Sequence, residues 1–303
     1  MPGPEIMSAT PLVSVIVVSC DAPRTLERCL HSLEAQLALG AEILVADCSA
    51  QDPRLHFRQQ FPEVRFLRYE RRSIPELRRE ALRVARGEIL VLTEARLAPD
   101  PQWLPSLLEA HRRHPEAGAI GGPIGYLADS AFDAAVFFCE YGWHLPPIAD
   151  GPAAELSGAN VSYKRWALDL CKDLLDAAAW EPFIHRRLEQ HGHRLLRAGR
   201  ALVVYHNSLT GSQVLRQRFH YGRWFAAERA ASATAVLRLL HAGFCPLLPL
   251  LLTTRLFRLA LARGHSAAFL GALPWVLLFE TLWSAGEFCG YLLGKGSSDR
   301  QVF

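Results

Sequence analysis

The sequence contains few of the features that mark secreted or nucleic-acid-binding proteins. Its seven cysteines form no C-x-x-C pair, and their odd number fits reduced, buried thiols better than a disulfide framework. The formal net charge is only +3, which is too small to steer nucleic acid toward the whole molecule. No basic region precedes the first apolar run, so a signal peptide is not expected. These absences favour a folded protein in a reducing compartment.

Strand and helix signals alternate from residue 13 to about residue 120. Short β-branched runs are followed by stretches with apolar residues at helical spacing: LVSVIVVSC, RTLERCLHSLEAQ, AEILVADCS, VRFLRYE, SIPELRREALRVARG and GEILVLTE. This alternation predicts an α/β fold with a mostly parallel sheet, whose ligand crevice lies at the carboxyl ends of the strands. Residues 121–152 are rich in glycine and proline and are predicted to form loops.

Polar residues stand where the predicted strands end. The first strand ends at Ser19 and Asp21, the second at Asp47, and the strand of GEILVLTE at Glu94 and Arg96. Because these ends meet at one edge of a parallel sheet, they are candidates for a ligand site. The alternative interpretation is that the two aspartates only cap the turns or helices that follow them.

The order of these motifs resembles that of a family 2 glycosyltransferase. The similarity covers residues 12–230 and is carried by the following segments: VSVIVVSCDAPRTLERCLHSLEAQ, EILVADCSAQD, ARGEILVL, WLPSLL, LSGANVSYKR, WEPFIHRRLEQHGHRL and VVYH. The resemblance implies a GT-A domain with a Rossmann-like, mostly parallel sheet. It also implies inverting transfer of a sugar from a nucleoside-diphosphate donor, usually a UDP-sugar, to a hydroxyl acceptor.

The resemblance assigns donor-binding roles to strand-end and helical residues. Asp47 would accept a hydrogen bond from the nucleotide base, and Arg78 would meet the donor phosphates or the acids of the pocket. Ser19 and Glu94 complete the implied donor side, with Glu94 at the first acid of the family's D-x-D motif. The sequence departs from the family pattern at Cys48, where a second aspartate is usual.

Arg96 occupies the position of the family's second D-x-D acid, which usually binds Mn²⁺ or Mg²⁺. A guanidinium would repel that ion, since like charges about 4 Å apart cost about 4 kcal/mol at an effective dielectric of 20. One interpretation is that Arg96 binds the diphosphate directly. Another register makes Ala95 the lost acid. Under either register Glu94 and His206 would be the remaining metal ligands. His206 could instead cap a strand end by a hydrogen bond.

Glu181 aligns with the acid that serves these enzymes as general base. The neighbouring Trp180 offers an apolar setting of the kind that raises the pKa of a carboxyl group. The alternative is a glutamate in a first helical turn, which is favourable through the helix dipole alone. The same resemblance places Ser157, Asn160 and Trp180 on the acceptor side.

The C-terminal region, residues 231–296, is predicted to form apolar helices. Residues 243–294 would associate with the cytoplasmic face of a membrane, as a hairpin with buried Arg–Glu pairs or as an interfacial hairpin. A soluble dimer interface is the other alternative. A membrane location suits a lipid-linked acceptor or a cell-surface polysaccharide precursor, and no nucleic-acid partner is expected. The rival function is an inactive nucleotide-binding or scaffold protein of the same fold at the membrane.

Overall fold

The computed structural model describes residues 12–231, 233–298 and 301. Its centre is an eight-stranded sheet, and a three-stranded sheet lies beside it. The strands are β1 Val13–Ser19, β2 Glu42–Asp47, β3 Val64–Arg68, β4 Ile89–Glu94, β5 Leu97–Pro99, β6 Ala119–Gly121, β7 Ile124–Tyr126, β8 Gly151–Pro152, β9 Val161–Lys164, β10 Leu195–Arg197 and β11 Val203–Tyr205.

Helices cover the sheet and form the C-terminal part of the chain. They are α1 Pro23–Leu37, α2 Arg54–Phe57, α3 Ile74–Val84, α4 Trp103–Arg113, α5 Ala131–Tyr141, α6 Arg165–Asp169, α7 Lys172–Asp176, α8 Glu181–Gln190, α9 Gly211–Ala230, α10 Ala235–Phe244, α11 Leu248–Ala262 and α12 Ser266–Leu293.

The large sheet has the strand order β3-β2-β1-β4-β9-β6-β10-β8. Strands β3, β2, β1 and β4 are parallel neighbours, whereas β9 runs antiparallel between β4 and β6. Every residue of β1 and β4 is buried, as expected for strands covered on both faces. The mixed α/β fold agrees with the prediction, and the parallel strands bring Ser19, Asp47 and Glu94 to one edge.

Helix α3 places an arginine beneath that edge. Ser73 caps the helix and forms a capping box with Glu76, which satisfies backbone donors that the first turn leaves unpaired. The buried face of the helix carries Leu77, Arg78 and Ala81. Helical periodicity therefore buries Arg78 among apolar neighbours, directed toward the ends of the strands.

The prediction of loops across residues 121–152 is wrong in part. This segment contains β7 and the helix α5, whose side chains Phe137 and Phe138 are almost fully buried in the main core. Ser130 caps α5 by accepting a hydrogen bond from the backbone amide of Asp133. Glycine and proline flank the helix on both sides, and these loop-forming residues led to the prediction of a loop for the whole segment.

Two C-terminal stretches are long and apolar enough to cross a membrane by length and composition, Ala235–Ala262 and Ser266–Leu293. Core helices of soluble proteins can meet the same criterion, so it does not decide the topology. Only 11% of the most apolar window of the first stretch and 28% of that of the second are buried. The first stretch begins at Ala235, inside the predicted apolar region 231–296 and before residue 243, where the predicted membrane-associated part starts.

The C-terminal helices pack on the α/β part and share its core. Phe269, Val276 and Phe279 of α12 are fully buried in the same apolar cluster as β1 and α1. Glu280 forms a buried ion pair with Arg218 of α9, at 3.1 Å, rather than with the arginines of α11. The division into domains after residue 230 therefore stays a prediction based on composition.

Helices α9 and α12 approach each other closely at glycines. A Cβ atom on Gly286 would overlap the carbonyl oxygen of Phe219, and one on Gly222 would overlap that of Trp283. Backbone cannot move away as a flexible side chain can. We therefore expect these two glycines to be required for the contact between the helices.

Gly286→Ala is expected to lower the melting temperature by several degrees, because the added methyl group separates α9 from α12. Gly271→Ala is the matched control on the same helix, since its added Cβ would meet nothing within 4 Å. That control should be neutral or slightly stabilising through helix propensity. Equal melting temperatures for the two variants, measured by differential scanning fluorimetry, would contradict the close helix contact.

Candidate functional site

Two cavities meet at the carboxyl edge of the parallel strands. The first cavity, of about 190 Å³, lies beside Ser19 and Asp21. The second cavity, of about 510 Å³, extends from Glu181 toward the C-terminal helices. Glu94 and Arg96, which follow one another closely at the end of β4, line both cavities. A ligand in one cavity would therefore meet a ligand in the other at this pair.

Arg78 joins Glu181, the candidate base, to Glu94, a candidate donor-binding residue. Its Nη1 lies 2.5 Å from Oε1 of Glu181, and its Nη2 lies 2.8 Å from Oε1 of Glu94. Tyr141 donates a hydrogen bond of 2.8 Å to the other oxygen of Glu94. These side chains are buried, so the ion pairs act in a medium that screens them less than water does. Helix α3 thereby couples the end of β4 to the start of α8.

The neighbouring carboxylates favour the charged form of Arg78. Burial alone would lower the pKa of Arg78, but the charges of Glu181 and Glu94 outweigh it and raise that pKa. Burial, and then the charge of Glu94, raise the pKa of Tyr141 well above its usual value. Tyr141 therefore remains a phenol that donates to Glu94 at physiological pH.

Gly158 lies against the carboxylate of Glu181. A Cβ atom at this position would overlap Oε2 of Glu181, so a glycine is needed for the loop to close over the acid. Ser157 and Trp180 line the second cavity beside it, and their acceptor-side role stays a prediction. Trp180 packs at 5.2 Å, centroid to centroid, against Trp224 of α9. The start of α8 is thus fixed on two sides.

Asn160 does not face this cavity, which corrects the acceptor-side role predicted for it. Its side chain is fully buried, accepts a hydrogen bond from the indole of Trp103 and donates to the carbonyl oxygens of Pro123 and Ala201. All of its polar atoms are therefore engaged within the protein. Asn160 thus joins the start of β9 to the segments beside it.

Arg96 lies between acidic and aromatic side chains. Its Nη1 is 3.9 Å from Oε2 of Glu140. Burial would lower the pKa of Arg96, but Glu140 and its other neighbours raise it well above the usual value. For Glu140 itself burial dominates and raises the pKa, although the charge of Arg96 opposes that shift. Arg96 is therefore a permanent cation at the junction of the two cavities.

The residues present do not fit a divalent cation at Glu94 and His206. Both carboxylate oxygens of Glu94 already accept hydrogen bonds, from Arg78 and Tyr141. Nδ1 of His206 lies 2.6 Å from Nη1 of Arg28 and must accept, since a guanidinium can only donate. In the neutral ring Nε2 then carries the proton, so no lone pair remains for a metal.

Two further observations agree with this. Burial, and then the charge of Arg28, lower the pKa of His206 and keep its ring neutral. Among the residues that the structure describes, no group of three histidine, cysteine or acidic side chains could hold an ion. The predicted metal ligands thus have other partners.

The predicted donor residues at β1 and β2 differ in their accessibility. Ser19 lines the first cavity, and its buried hydroxyl has no hydrogen-bond partner in the described part of the chain. Asp47 is 1% exposed and accepts hydrogen bonds from the amide and hydroxyl of Ser49 and from Arg68. Recognition of a base by Asp47 stays a prediction that requires this network to open.

Sequence reasoning missed part of the first cavity. Arg71, Arg72 and Arg216 line it together with Arg96, so four arginines contribute to the lining of one small cavity. The pair Arg71 and Arg72 between β3 and α3 could have indicated a basic site in the sequence, because two cations precede a helix that already carries Arg78. Glu140 and Tyr141 were also missed, since the segment that contains them was predicted to be a loop.

Comparison with known proteins agrees with the fold. Residues 14–144 match the family model described as "Glycosyl transferase family 2". The chain is similar in structure to the mannosyltransferase PcManGT from Pyrobaculum calidifontis, in complex with GDP-Man and Mn²⁺ (TM-score 0.56, 19% identity, 92% of this chain and 86% of that one).

A second similar structure is GalNAc-T7 with UDP, GalNAc and Mn²⁺ (TM-score 0.52, 18% identity, 66% of this chain). This chain covers 44% of the length of GalNAc-T7. No curated protein sequence gave a match. At these identities the structural similarity establishes the GT-A fold, and activity is argued from the site.

Proposed function

We propose that this protein transfers a sugar from a nucleoside diphosphate to a hydroxyl acceptor, because residues 14–144 match the family 2 glycosyltransferase model and the fold is of the GT-A type. The observation that carries the proposal is the junction of the two cavities at Glu94 and Arg96. Glu181 lines only the second cavity. The donor would occupy the first cavity, and the acceptor the second.

Glu181 is the proposed general base. The acceptor oxygen attacks the anomeric carbon, the bond from that carbon to the diphosphate breaks with its electron pair, and the carboxylate of Glu181 takes the hydroxyl proton. Arg78 holds Oε1 of Glu181, so the direction of Oε2 is fixed against the loop at Gly158. A base on the face opposite the leaving group implies inversion at the anomeric carbon.

The four arginines of the first cavity are proposed to bind the diphosphate. Guanidinium groups form paired hydrogen bonds with phosphate oxygens and neutralise charge that develops on the leaving group. Arg96 is placed nearest the acceptor cavity, since it lines both spaces. Ser19 would donate its unpartnered hydroxyl to the same ligand. We propose a UDP-sugar as donor, by resemblance to the family.

The apolar region is proposed to hold the enzyme at the cytoplasmic face of a membrane. Helices α10 and α11 expose large apolar side chains: Val236 68%, Leu239 63%, Phe244 62% and Leu250 66%. Many exposed large apolar side chains on two successive helices favour a lipid or protein partner over water. Membrane association would bring the second cavity to the bilayer surface.

The direct test uses the purified protein in maltoside micelles with a panel of UDP-, GDP- and dTDP-sugars. Binding is measured by thermal shift and turnover by release of the nucleoside diphosphate, each with Mn²⁺, Mg²⁺ or a chelator. One UDP-sugar is expected to bind and turn over in chelator, with inverted stereochemistry in the product by NMR. Binding without turnover for every donor would favour the inactive scaffold, and no binding would overturn the donor assignment.

A further inference from the structure

Two of the seven cysteines lie side by side at the edge of the sheet that borders the first cavity. Strands β1 and β2 are parallel, with Ser19 opposite Asp47 in the register, and Cys20 and Cys48 are the residues that follow. The backbone amide of Cys48 donates a hydrogen bond of 3.1 Å to the carbonyl oxygen of Ser19. The two chains therefore stay paired beyond the strands, and the cysteines are neighbours across them.

Both cysteine side chains lie on the same face of the sheet. Side chains alternate between the two faces along a strand, and Cys20 and Cys48 pack in one apolar cluster with Val18 and Ala46, which precede them by two residues. Neighbouring chains in a sheet are about 4.8 Å apart, and the Cα atoms of disulfide-bonded cysteines are usually about 4.4–6.8 Å apart. The spacing of the paired chains thus allows a bond between the two sulfur atoms.

The two thiols already interact in the reduced protein. They form a hydrogen bond with each other, which lowers the pKa of Cys48 and raises that of Cys20. The sulfur of Cys20 also lies 4.0 Å from the carbonyl oxygen of Cys48. Because the thiolate is the reactive form of cysteine, Cys48 is the sulfur that an oxidant would attack first, with Cys20 in place as its partner.

The pair differs from other cysteines of the chain in access and acidity. Cys20 is partly exposed and lines the first cavity, so a small oxidant can approach the pair from solvent. Burial raises the pKa of Cys29 to about 12, and that of Cys171 and of Cys245 to about 11. Those three thiols are therefore poor nucleophiles at physiological pH.

A bond between Cys20 and Cys48 would alter the first cavity. In the reduced protein the sulfur of Cys48 lies 3.6 Å from the carbonyl oxygen of Arg72, which lines that cavity. The loops after the two strands are also tied together, since the backbone amide of Asp21 donates to the hydroxyl of Ser49. Turning Cys48 toward Cys20 would break the contact with Arg72 and displace these loops.

We propose that Cys20 and Cys48 are a redox-sensitive pair that forms a disulfide when a peroxide enters the first cavity. The thiolate of Cys48 attacks one peroxide oxygen, the O–O bond breaks, and the released hydroxide takes up the proton that Cys48 gave up. The sulfur of Cys20 then attacks the sulfenic acid on Cys48, and hydroxide leaves with the proton of Cys20 as a second water. Two thiols are oxidised and one peroxide is reduced, and a dithiol reverses the bond by exchange.

The consequence for the donor rests on the proposed function. The disulfide would lie beside the cavity assigned to the nucleoside diphosphate, next to the hydroxyl of Ser19. The oxidised protein is therefore expected to bind the nucleotide sugar at least tenfold more weakly than the reduced protein. Reduction with dithiothreitol should restore the affinity.

The test treats the purified protein in maltoside micelles with hydrogen peroxide, blocks the remaining thiols with iodoacetamide and maps linked peptides by mass spectrometry. We expect a linkage between Cys20 and Cys48 in most molecules, and its loss after dithiothreitol. Cys20→Ser should instead leave a sulfenic acid on Cys48, which dimedone traps. Cys289→Ser is the control, since it removes a partly exposed thiol from α12 and should keep the linkage.

Two results would overturn the disulfide. One is the absence of this linkage at a peroxide concentration that already oxidises Cys289, and the other is a linkage that joins two molecules instead. Donor affinity, titrated on reduced and oxidised samples, decides the consequence separately, and equal affinities would reject it. A reduced protein that binds no nucleotide sugar would reject the proposed function, whereas the disulfide is decided by the mass spectrum alone.

Discussion

Replacing Glu181 by glutamine is expected to lower the rate of sugar transfer by about 10²–10⁴-fold, the usual contribution of a general base. Glutamine can still accept the hydrogen bond from Arg78, so the ion-pair cluster loses a charge but keeps its shape. Donor binding should change little, because Glu181 lines only the second cavity. The measurement is single-turnover transfer to an acceptor, with donor affinity measured separately by titration.

The matched control is Glu189→Gln, which removes an exposed carboxylate from the same helix α8. Its transfer rate should remain within twofold of that of the unaltered protein. Glu181→Asp should retain partial activity, because the carboxylate is kept and only its reach is shortened. Full activity of Glu181→Gln would reject Glu181 as the base, and loss of donor binding would show that it acts on the donor side.

The sequence predicts the placement of the strand-end residues well, because hydrophobic patterning marks where each strand ends. Parallel strands bring their last residues to one edge of the sheet, so Ser19, Asp47 and Glu94 could be grouped from the sequence. Spacing alone does not reveal which of these groups are already engaged. Asp47 binds Ser49 and Arg68, and such contacts between loops depend on tertiary packing.

The contacts of the C-terminal helices could not be predicted from the sequence. Its two glutamates and two arginines suggested pairs within one hairpin, yet Glu280 pairs with Arg218 of α9. The partner was hidden because α9 approaches α12 through Gly222 and Gly286, and a glycine contact has no signature in hydropathy. The second cavity arises from this packing. Its acceptor-side residues could therefore be predicted only near Glu181, where a motif marked them.

Removing the guanidinium of Arg96 is expected to lower kcat/KM for the donor about 10²–10³-fold. This is the usual effect in enzymes of removing one group that stabilises the charge that develops in the transition state. Arg96→Ala should show the full loss, and Arg96→Lys should recover part of it, since an ammonium keeps the charge but not the planar fork. The control is Arg112→Ala, because Arg112 is highly exposed on α4 and far from the cavity lining. Rates are measured over a range of donor concentrations.

A buried Glu140 left without Arg96 could disturb the fold, so the double variant Arg96→Ala with Glu140→Gln removes both charges together. Its circular dichroism spectrum should match that of the unaltered protein while its donor kcat/KM stays low. The unaltered enzyme should turn over equally in chelator and in Mn²⁺, whereas Arg96→Asp adds a carboxylate beside Glu94 and should turn over only with Mn²⁺. Chelator-sensitive turnover of the unaltered enzyme would show instead that an ion, held after rearrangement of Glu94 and His206, performs the role assigned to Arg96.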